Sequence, residues 1–133
     1  MELASVKRGR MKIKIMLPDK NGKPVMVSVC AMKLEKYFAL HRDIRWARNS
    51  KGEKTNRIVV MRSGWTVTHL PTGYAAINRL KFRDQAEKAA KSLAAIKNIN
   101  WKSKEAGSFR KESSKLPAEV RVFISKMQRT TLG

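Results

Sequence analysis

Residues 11–32 read MKIKIMLPDKNGKPVMVSVCAM, and this stretch carries the strongest local fold signal in the chain. Its first five residues alternate between apolar and basic types. That alternation predicts a half-buried strand with Ile13 and Ile15 facing inward. The residues between and before them, Lys12 and Lys14, then face solvent.

The second half of this stretch completes a hairpin. The pair Asn21-Gly22 is a preferred sequence for a tight turn between antiparallel strands. Residues 25–32 are apolar at both alternating sets of positions, which is typical of a central strand covered on both faces. Such a strand would bury Cys30 as a small apolar residue. The sequence therefore predicts a β-hairpin over residues 11–32.

Residues 33–48 allow two interpretations. Helical spacing relates Leu34, Tyr37 and His41, but residues 37–46 also read as one long strand. We favour the strand, with its larger apolar side chains near one face: Phe38, Leu40, Ile44 and Trp46. Residues 49–56 are polar and rich in turn formers, so they predict a flexible finger with basic flanks.

A compact meander is predicted next. Residues 57–62, 65–70 and 74–80 have strand composition, and Ser63-Gly64 and 71–73 separate them as turns. Residues 83–96 form the clearest helix, because small and apolar residues recur there at three- and four-residue spacing, starting from Phe82.

The C-terminal part is more polar. Residues 101–116 predict a basic flexible linker, anchored on the core by Trp101. Pro117 suits the first turn of a last helix in 117–133, although alternation of Val120, Val122 and Ile124 also fits a strand. We favour the helix.

Together these elements predict an α+β fold: an antiparallel sheet, made of an N-terminal hairpin and a three-stranded meander, packed by one main helix. The predicted organisation is a basic arm over 1–10, a core domain over 11–100, the linker over 101–116 and a helical element over 117–133. A chain of 133 residues has room for one domain of ordinary size.

Charge is the most unusual property of the sequence. Thirty Lys and Arg face ten Asp and Glu, which gives a net charge of +20. No ten-residue block is net acidic, so the basic residues belong to the folded elements rather than to a tail. A polyanionic partner explains such a surface, because otherwise the charges only repel one another.

Several other classes of protein fit poorly. One cysteine excludes an intrachain disulfide and a multi-cysteine zinc site. No apolar run approaches the roughly 20 residues that span a bilayer. The acidic residues are scattered singly, so no metal site and no cofactor is expected. We therefore expect a cytoplasmic protein without membrane association.

Catalysis is not predicted either. Only two histidines are present, His41 and His69, and nothing in their spacing brings them together. A phosphodiester-cleaving enzyme that uses one of them remains an alternative. No catalytic residue is assigned.

Nucleic-acid binding is the function that the sequence predicts. Arg45, Trp46 and Arg48 place an aromatic ring between guanidinium groups, a pattern that suits base stacking with phosphate contacts. The low aromatic content favours a duplex backbone, and DNA over RNA. Candidate contacts are Lys12, Lys14, Arg42, Arg45, Trp46, Arg48, Lys51, Lys54, Arg57, Arg62, Arg79, Lys81, Lys102, Arg110 and Lys111.

A different class of function stays open. A small basic protein of phage or plasmid type, acting as inhibitor or adaptor, would place the same charges in an acidic groove of a nucleic-acid-processing protein. Oligomeric state, sequence specificity and biological process are not predicted. A nucleoid-associated location would follow only from nucleic-acid binding.

Overall fold

Five strands follow one another along the chain and pair in that same order as one antiparallel sheet. The structure, a computed structural model, describes residues 10–128. The strands are β1 (Arg10–Pro18), β2 (Pro24–Glu35), β3 (Phe38–Arg48), β4 (Lys54–His69) and β5 (Ala75–Leu80). The helices are α1 (Arg83–Ala94), α2 (Ala106–Ser113) and α3 (Ala118–Met127). The predicted α+β class is confirmed.

The β1–β2 hairpin forms as the alternation predicts. Ile13 and Ile15 are buried, while the lysines beside them are exposed. The Asp19 carboxylate accepts the backbone N–H groups of Asn21 at 2.8 Å and Lys23 at 2.9 Å. Gly22 takes φ +80°, the left-handed conformation that this turn requires. The bonds from Lys23 and Asn21 lower the pKa of the Asp19 carboxyl.

The expected burial of Cys30 is wrong. β2 does lie between β1 and β3, but only its odd-numbered face, with Val29 and Ala31, is buried. Cys30 is exposed on the other face, opposite Lys12 of β1. The helix-side apolar cluster reaches β2 at Leu34 and leaves this part of the face uncovered.

The sheet curls until its first strand meets the turn between its last two. The Met16 N–H donates to the Gly73 carbonyl at 2.9 Å, which ties β1 to the β4–β5 turn. Gly73 has φ +79°, and a Cβ there would lie 2.8 Å from the Lys14 carbonyl oxygen. Only glycine permits this close approach.

Two apolar clusters lie on opposite faces of the curled sheet. The outer cluster contains Phe38, Leu40 and Val67 and is covered by the small face of α1, Ala86, Ala89, Ala90 and Leu93. Ile124 and Met127 of α3 belong to the same cluster, which also includes Trp101. The inner cluster contains Ile13, Ile15, Val29, Ala31 and Ala39.

A bulge between β3 and β4 changes the predicted meander. Pairing shifts register between Arg42 and Ile44, so Ile44 packs against the inner cluster while Phe38 and Leu40 join the outer one. The prediction that the larger apolar side chains of this strand lie near one face is therefore wrong. The expected turn at Ser63-Gly64 is also wrong: β4 runs through it as one 16-residue strand, with Gly64 at φ +90° in the same irregular region.

The expected finger over 49–56 is a short, ordered turn instead. The Asn49 side-chain oxygen accepts the N–H groups of Lys51 at 2.9 Å and Glu53 at 3.0 Å, and β4 begins at Lys54. The sequence predicted a flexible loop because residues 49–56 are polar and rich in turn formers. Composition does not show the hydrogen bonds to the Asn49 side chain that fix this turn.

The helices follow the prediction in part. α1 ends at Ala94 rather than 96, and Phe82 is 60% exposed at its N-cap instead of joining the apolar face. The expected linker contains α2, so it is not flexible throughout. The C-terminal helix is confirmed as α3. Arg10 belongs to β1, and the rest of the basic arm, with residues 129–133, lies outside the described residues.

Candidate nucleic-acid interface

The basic side chains are almost free of intramolecular ion pairs. Across residues 10–128 the structure shows one, between Lys115 Nζ and Glu112 Oε2 at 2.9 Å. Backbone and lysine contacts from Asn100 and Lys115 lower the pKa of the Glu112 carboxyl. The remaining cations are therefore not neutralised by carboxylates of the described chain, and their field extends into solvent.

Three arginines from different elements line one groove. Arg10 of β1, Arg42 of β3 and Arg83 of α1 surround a groove of about 240 Å³, with Trp65 of β4 at its wall. No carboxylate of the described residues lines it. We refer to Arg10, Arg42, Arg83 and Trp65 as the arginine groove.

Local contacts hold two of these three guanidinium groups in place. The Arg42 guanidinium lies 4.1 Å from the centre of the Trp65 ring, a cation–π arrangement. Its Nη1 donates to the Arg62 carbonyl at 2.9 Å. Arg83 Nη2 donates to the Met32 sulfur at 2.9 Å. Arginines positioned in this way offer their remaining N–H donors to phosphate oxygens.

Sequence reasoning found Arg42, assigned Arg10 to the basic arm rather than to the sheet, and missed Arg83. Arg10 pairs with Met32, and its parity matches Lys12 and Lys14. Extending the alternation one position backward would have placed it on the same face. For Arg83 no local signal existed, since only the packing of α1 on the sheet brings it to the groove.

A second basic area lies where two hairpins end together. Lys54 Nζ donates to the carbonyls of Pro18 at 3.3 Å and Asp19 at 3.4 Å. The β3–β4 turn therefore lies against the β1–β2 turn, and we call residues 19–23 and 48–54 the hairpin end. Exposed cations of both turns meet there: Lys20, Lys23, Arg48 and Lys51.

The stacking role expected for Trp46 is contradicted. Its side chain is 8% exposed, and its Nε1 donates to the Pro18 carbonyl at 2.7 Å. The ring thus joins the two hairpins instead of meeting a base. Arg45 and Arg57 beside it stay exposed on the β3–β4 ribbon.

The other predicted contacts are dispersed. Lys12 and Lys14 are exposed on β1, and Lys81 precedes α1. Lys102, Arg110 and Lys111 are exposed around α2. Arg79 lies with Arg45 at a different cavity, described below. Among these groups Lys12 lies nearest the arginine groove, because it pairs with Cys30, which lines that groove.

Both histidines have structural contacts at each ring nitrogen. His69 Nε2 lies 2.6 Å from the Trp101 carbonyl and Nδ1 lies 2.9 Å from Thr72 Oγ1. Its ring stacks on Phe109 with centroids 4.6 Å apart, which anchors α2. Phe109 is thus held against the core rather than offered to a ligand.

His41 is held in the same manner. Its Nδ1 lies 2.8 Å from the Arg42 carbonyl and its Nε2 2.7 Å from Thr68 Oγ1. Since a carbonyl only accepts, Nδ1 carries the proton and Nε2 accepts from the threonine. Burial lowers the pKa of both histidines. Within residues 10–128, no group of three or more metal-ligating side chains comes together.

The comparisons with known proteins give no family. No protein-family model matches the chain, and no curated protein or solved structure matches it. Among the described helices, none is long and apolar enough to cross a membrane.

Proposed function

We propose that this protein binds nucleic acid through phosphate contacts and performs no catalysis. The arginine groove is the observation that carries the proposal. Three arginines from β1, β3 and α1 line it together, and no carboxylate of the described residues does. A site built of cations alone suits a polyanion, whose bound counterions are released when the phosphates are neutralised.

Three of the aromatic residues that have basic neighbours in the sequence are held against the core, which favours one mode of binding. Trp46 and Trp101 are buried, and Phe109 is stacked on His69. Stacking on unpaired bases is the main recognition device of single-strand binders. Backbone binding to a duplex needs no such platform, so double-stranded DNA is the first ligand to test and a nucleoid-associated location follows from it.

A salt titration tests the proposal. Labelled duplex DNA, single-stranded DNA and duplex RNA are titrated with nuclease-treated protein, and binding is followed by fluorescence anisotropy. With about 6–10 phosphate contacts, affinity falls by about 10³–10⁵ between about 50 and 200 mM salt. Absence of binding to all three at low salt contradicts the proposal.

A matched pair of variants assigns the binding to the groove. Arg83→Gln removes a groove cation, and we expect weaker binding with a salt slope reduced by about one unit. Lys97→Gln removes an exposed cation beyond the opposite end of α1 and serves as the control. Equal losses in both variants would mean that net charge alone, not the groove, governs binding.

An adaptor role for an acidic protein groove is the second candidate. Exposed apolar side chains favour it, because Val122 and Phe123 of α3 and Phe82 before α1 face solvent. The same titration separates the two: an adaptor binds the labelled nucleic acids weakly, while the proposed function requires submicromolar binding to at least one form.

A further inference from the structure

A second cavity lies between the two edge strands of the curled sheet. Its volume is about 350 Å³. Ile15, Met16 and Leu17 of β1 line one side, and Ala75 and Arg79 line the other. The hydrogen bond from the Met16 N–H to the Gly73 carbonyl closes the sheet at one point. The cavity lies where the two edge strands stay apart, and we call it the edge cavity. Its size falls in the range of about 300–1,000 Å³ typical of small-molecule sites.

The polar groups of the edge cavity are few and already positioned. Asp43 Oδ1 accepts from Thr66 Oγ1 at 2.5 Å and from the Arg79 N–H at 3.4 Å. His41 lines the cavity, but the Arg42 carbonyl and Thr68 occupy its two nitrogens. Asp43 is the one carboxylate among the lining residues, which also include Asn78, and its second oxygen has no described hydrogen bond.

Two cations complete the lining. Arg45 and Arg79 both border the cavity, and neither forms an ion pair with a described carboxylate. Arg79 also has φ +58°, the one non-glycine residue with positive φ in the described chain. A bulky residue in this conformation is strained, and such strain concentrates where a site fixes the backbone. Here it directs the Arg79 N–H toward Asp43.

We infer that the edge cavity binds one nucleotide: its phosphate at Arg45 and Arg79, its base over the aliphatic lining, and its base edge donating to Asp43. Guanine fits this arrangement best, because its N1–H and N2–H groups are adjacent donors. Uracil and thymine present a single N–H between two carbonyl groups, and the carboxylate repels the oxygens of both carbonyls. The nucleotide is either free or part of a strand, and only the second case rests on the proposed function.

Free nucleotides test the inference directly. GMP, AMP, CMP, UMP and inorganic phosphate are titrated separately, and the methyl NMR signals of Ile15, Ile44 and Met61 report on the cavity. Leu93, buried in the outer cluster, is the internal reference. We expect GMP to bind at least about tenfold more tightly than UMP, in line with the discrimination of a two-donor base contact.

Two results overturn the inference. If none of the nucleotides moves the three cavity methyls, the cavity has a different occupant. If inorganic phosphate gives the same shifts at the same concentration as GMP, the arginines bind an anion and the base is not recognised. In either case duplex binding by the arginine groove is unaffected.

Variants at the cavity separate its parts. Asp43→Asn keeps the acceptor for Thr66 but replaces the other oxygen with a donor, so the GMP preference disappears. Asp84→Asn, at an exposed carboxylate in α1, is the matched control and leaves it unchanged. Ala75→Trp fills the exposed rim and abolishes binding of all four nucleotides without altering the core. A normal circular dichroism spectrum confirms folding of each variant.

Oligonucleotides distinguish the two sources of the ligand. A thymine strand with one central guanine is compared with the all-thymine strand of equal length. Tighter binding of the guanine strand, lost in Asp43→Asn, places a strand nucleotide in the cavity. GMP binding without binding of either strand supports the cavity as a free-nucleotide site, and the duplex titration alone then decides the proposed function.

Discussion

The two histidines lie inside the protein as neutral hydrogen-bonding groups. His69 connects the end of β4 to the Trp101 carbonyl, and His41 connects neighbouring strands through Thr68. Desolvation lowers the pKa of each, against the opposing effect of the carbonyl bonds. Both therefore influence how stability depends on pH.

The sign of that dependence follows from proton binding. Since the folded pKa is lower than the ordinary value of about 6.5, acidification protonates histidine in the unfolded chain first. The contribution of the two histidines to the free energy of unfolding is therefore constant above that value and decreases as pH falls toward the lowered folded values. Urea unfolding at about pH 7.5 and about pH 5.5 measures the change.

A variant isolates the histidine contribution. His69→Gln keeps a donor toward the Trp101 carbonyl but does not titrate, so its loss of stability on acidification is smaller than that of the wild type. An identical pH slope in both proteins would contradict the assignment. Asp19 and Glu112 act at lower pH, because their lowered carboxyl pKa values lie below the histidine range.

Arg79 gives a second prediction for a single residue. Asparagine adopts left-handed backbone angles more readily than arginine, whereas a β-branched residue there is a genuine outlier. We expect Arg79→Asn to match or exceed wild-type stability and Arg79→Val to lower it by about 1–3 kcal/mol. Urea unfolding of the two variants measures the difference in stability. Equal stabilities would contradict the strained backbone conformation at Arg79.

At the level of single residues the sequence was informative only where alternation was complete. Ile13 and Ile15 were assigned correctly because polar partners separate them. Cys30 and Trp46 were not, since residue type alone does not show whether a helix covers one face or whether a neighbouring hairpin supplies an acceptor. Both outcomes depend on tertiary contacts.

At the level of elements, the junction between β1 and the β4–β5 turn closes the sheet. Gly73→Ala adds a Cβ that would lie 2.8 Å from the Lys14 carbonyl oxygen. Gly22→Ala, at φ +80° with nothing within 4 Å, is the matched control. The control costs about 1–2 kcal/mol from left-handed strain alone.

We expect Gly73→Ala to cost at least about 1 kcal/mol more than the control, since the backbone of β1 must move. Amide hydrogen exchange should then accelerate at Met16, whose N–H bonds Gly73. Equal costs for the two substitutions would show that the close approach is not maintained in solution.

The order of elements was predictable, whereas their internal irregularities were not. The hairpin, α1 and α3 came from periodicity and turn chemistry. The continuous β4 was divided at Ser63-Gly64 because that pair resembles a turn, while the structure uses it in a bulge opposite β3. α2 was missed because it buries no residue fully and depends on the Phe109–His69 stack.

For the whole molecule, charge was predictable but its convergence was not. Composition gave +20, and only the fold brings Arg10, Arg42 and Arg83 to one groove. The fold also shows that a single ion pair offsets the repulsion among the basic side chains within residues 10–128. Self-repulsion of this kind opposes the compact state.

Salt should therefore have opposite effects on folding and on binding. In the free protein, raising ionic strength from about 0.01 M to about 0.1 M shortens the Debye length from about 30 Å to about 10 Å and screens the repulsion. We expect the thermal midpoint to rise. With duplex DNA present, the low-salt midpoint is already high, since binding to the folded state stabilises it.

Differential scanning calorimetry with and without DNA measures both trends. The two midpoints converge as salt increases, because screening stabilises the free protein while it weakens the complex. Sucrose at matched osmolality is the control for effects unrelated to charge. A midpoint of the free protein that falls with salt would mean that attractive pairs dominate, which contradicts the unpaired cationic surface on which the proposed function depends.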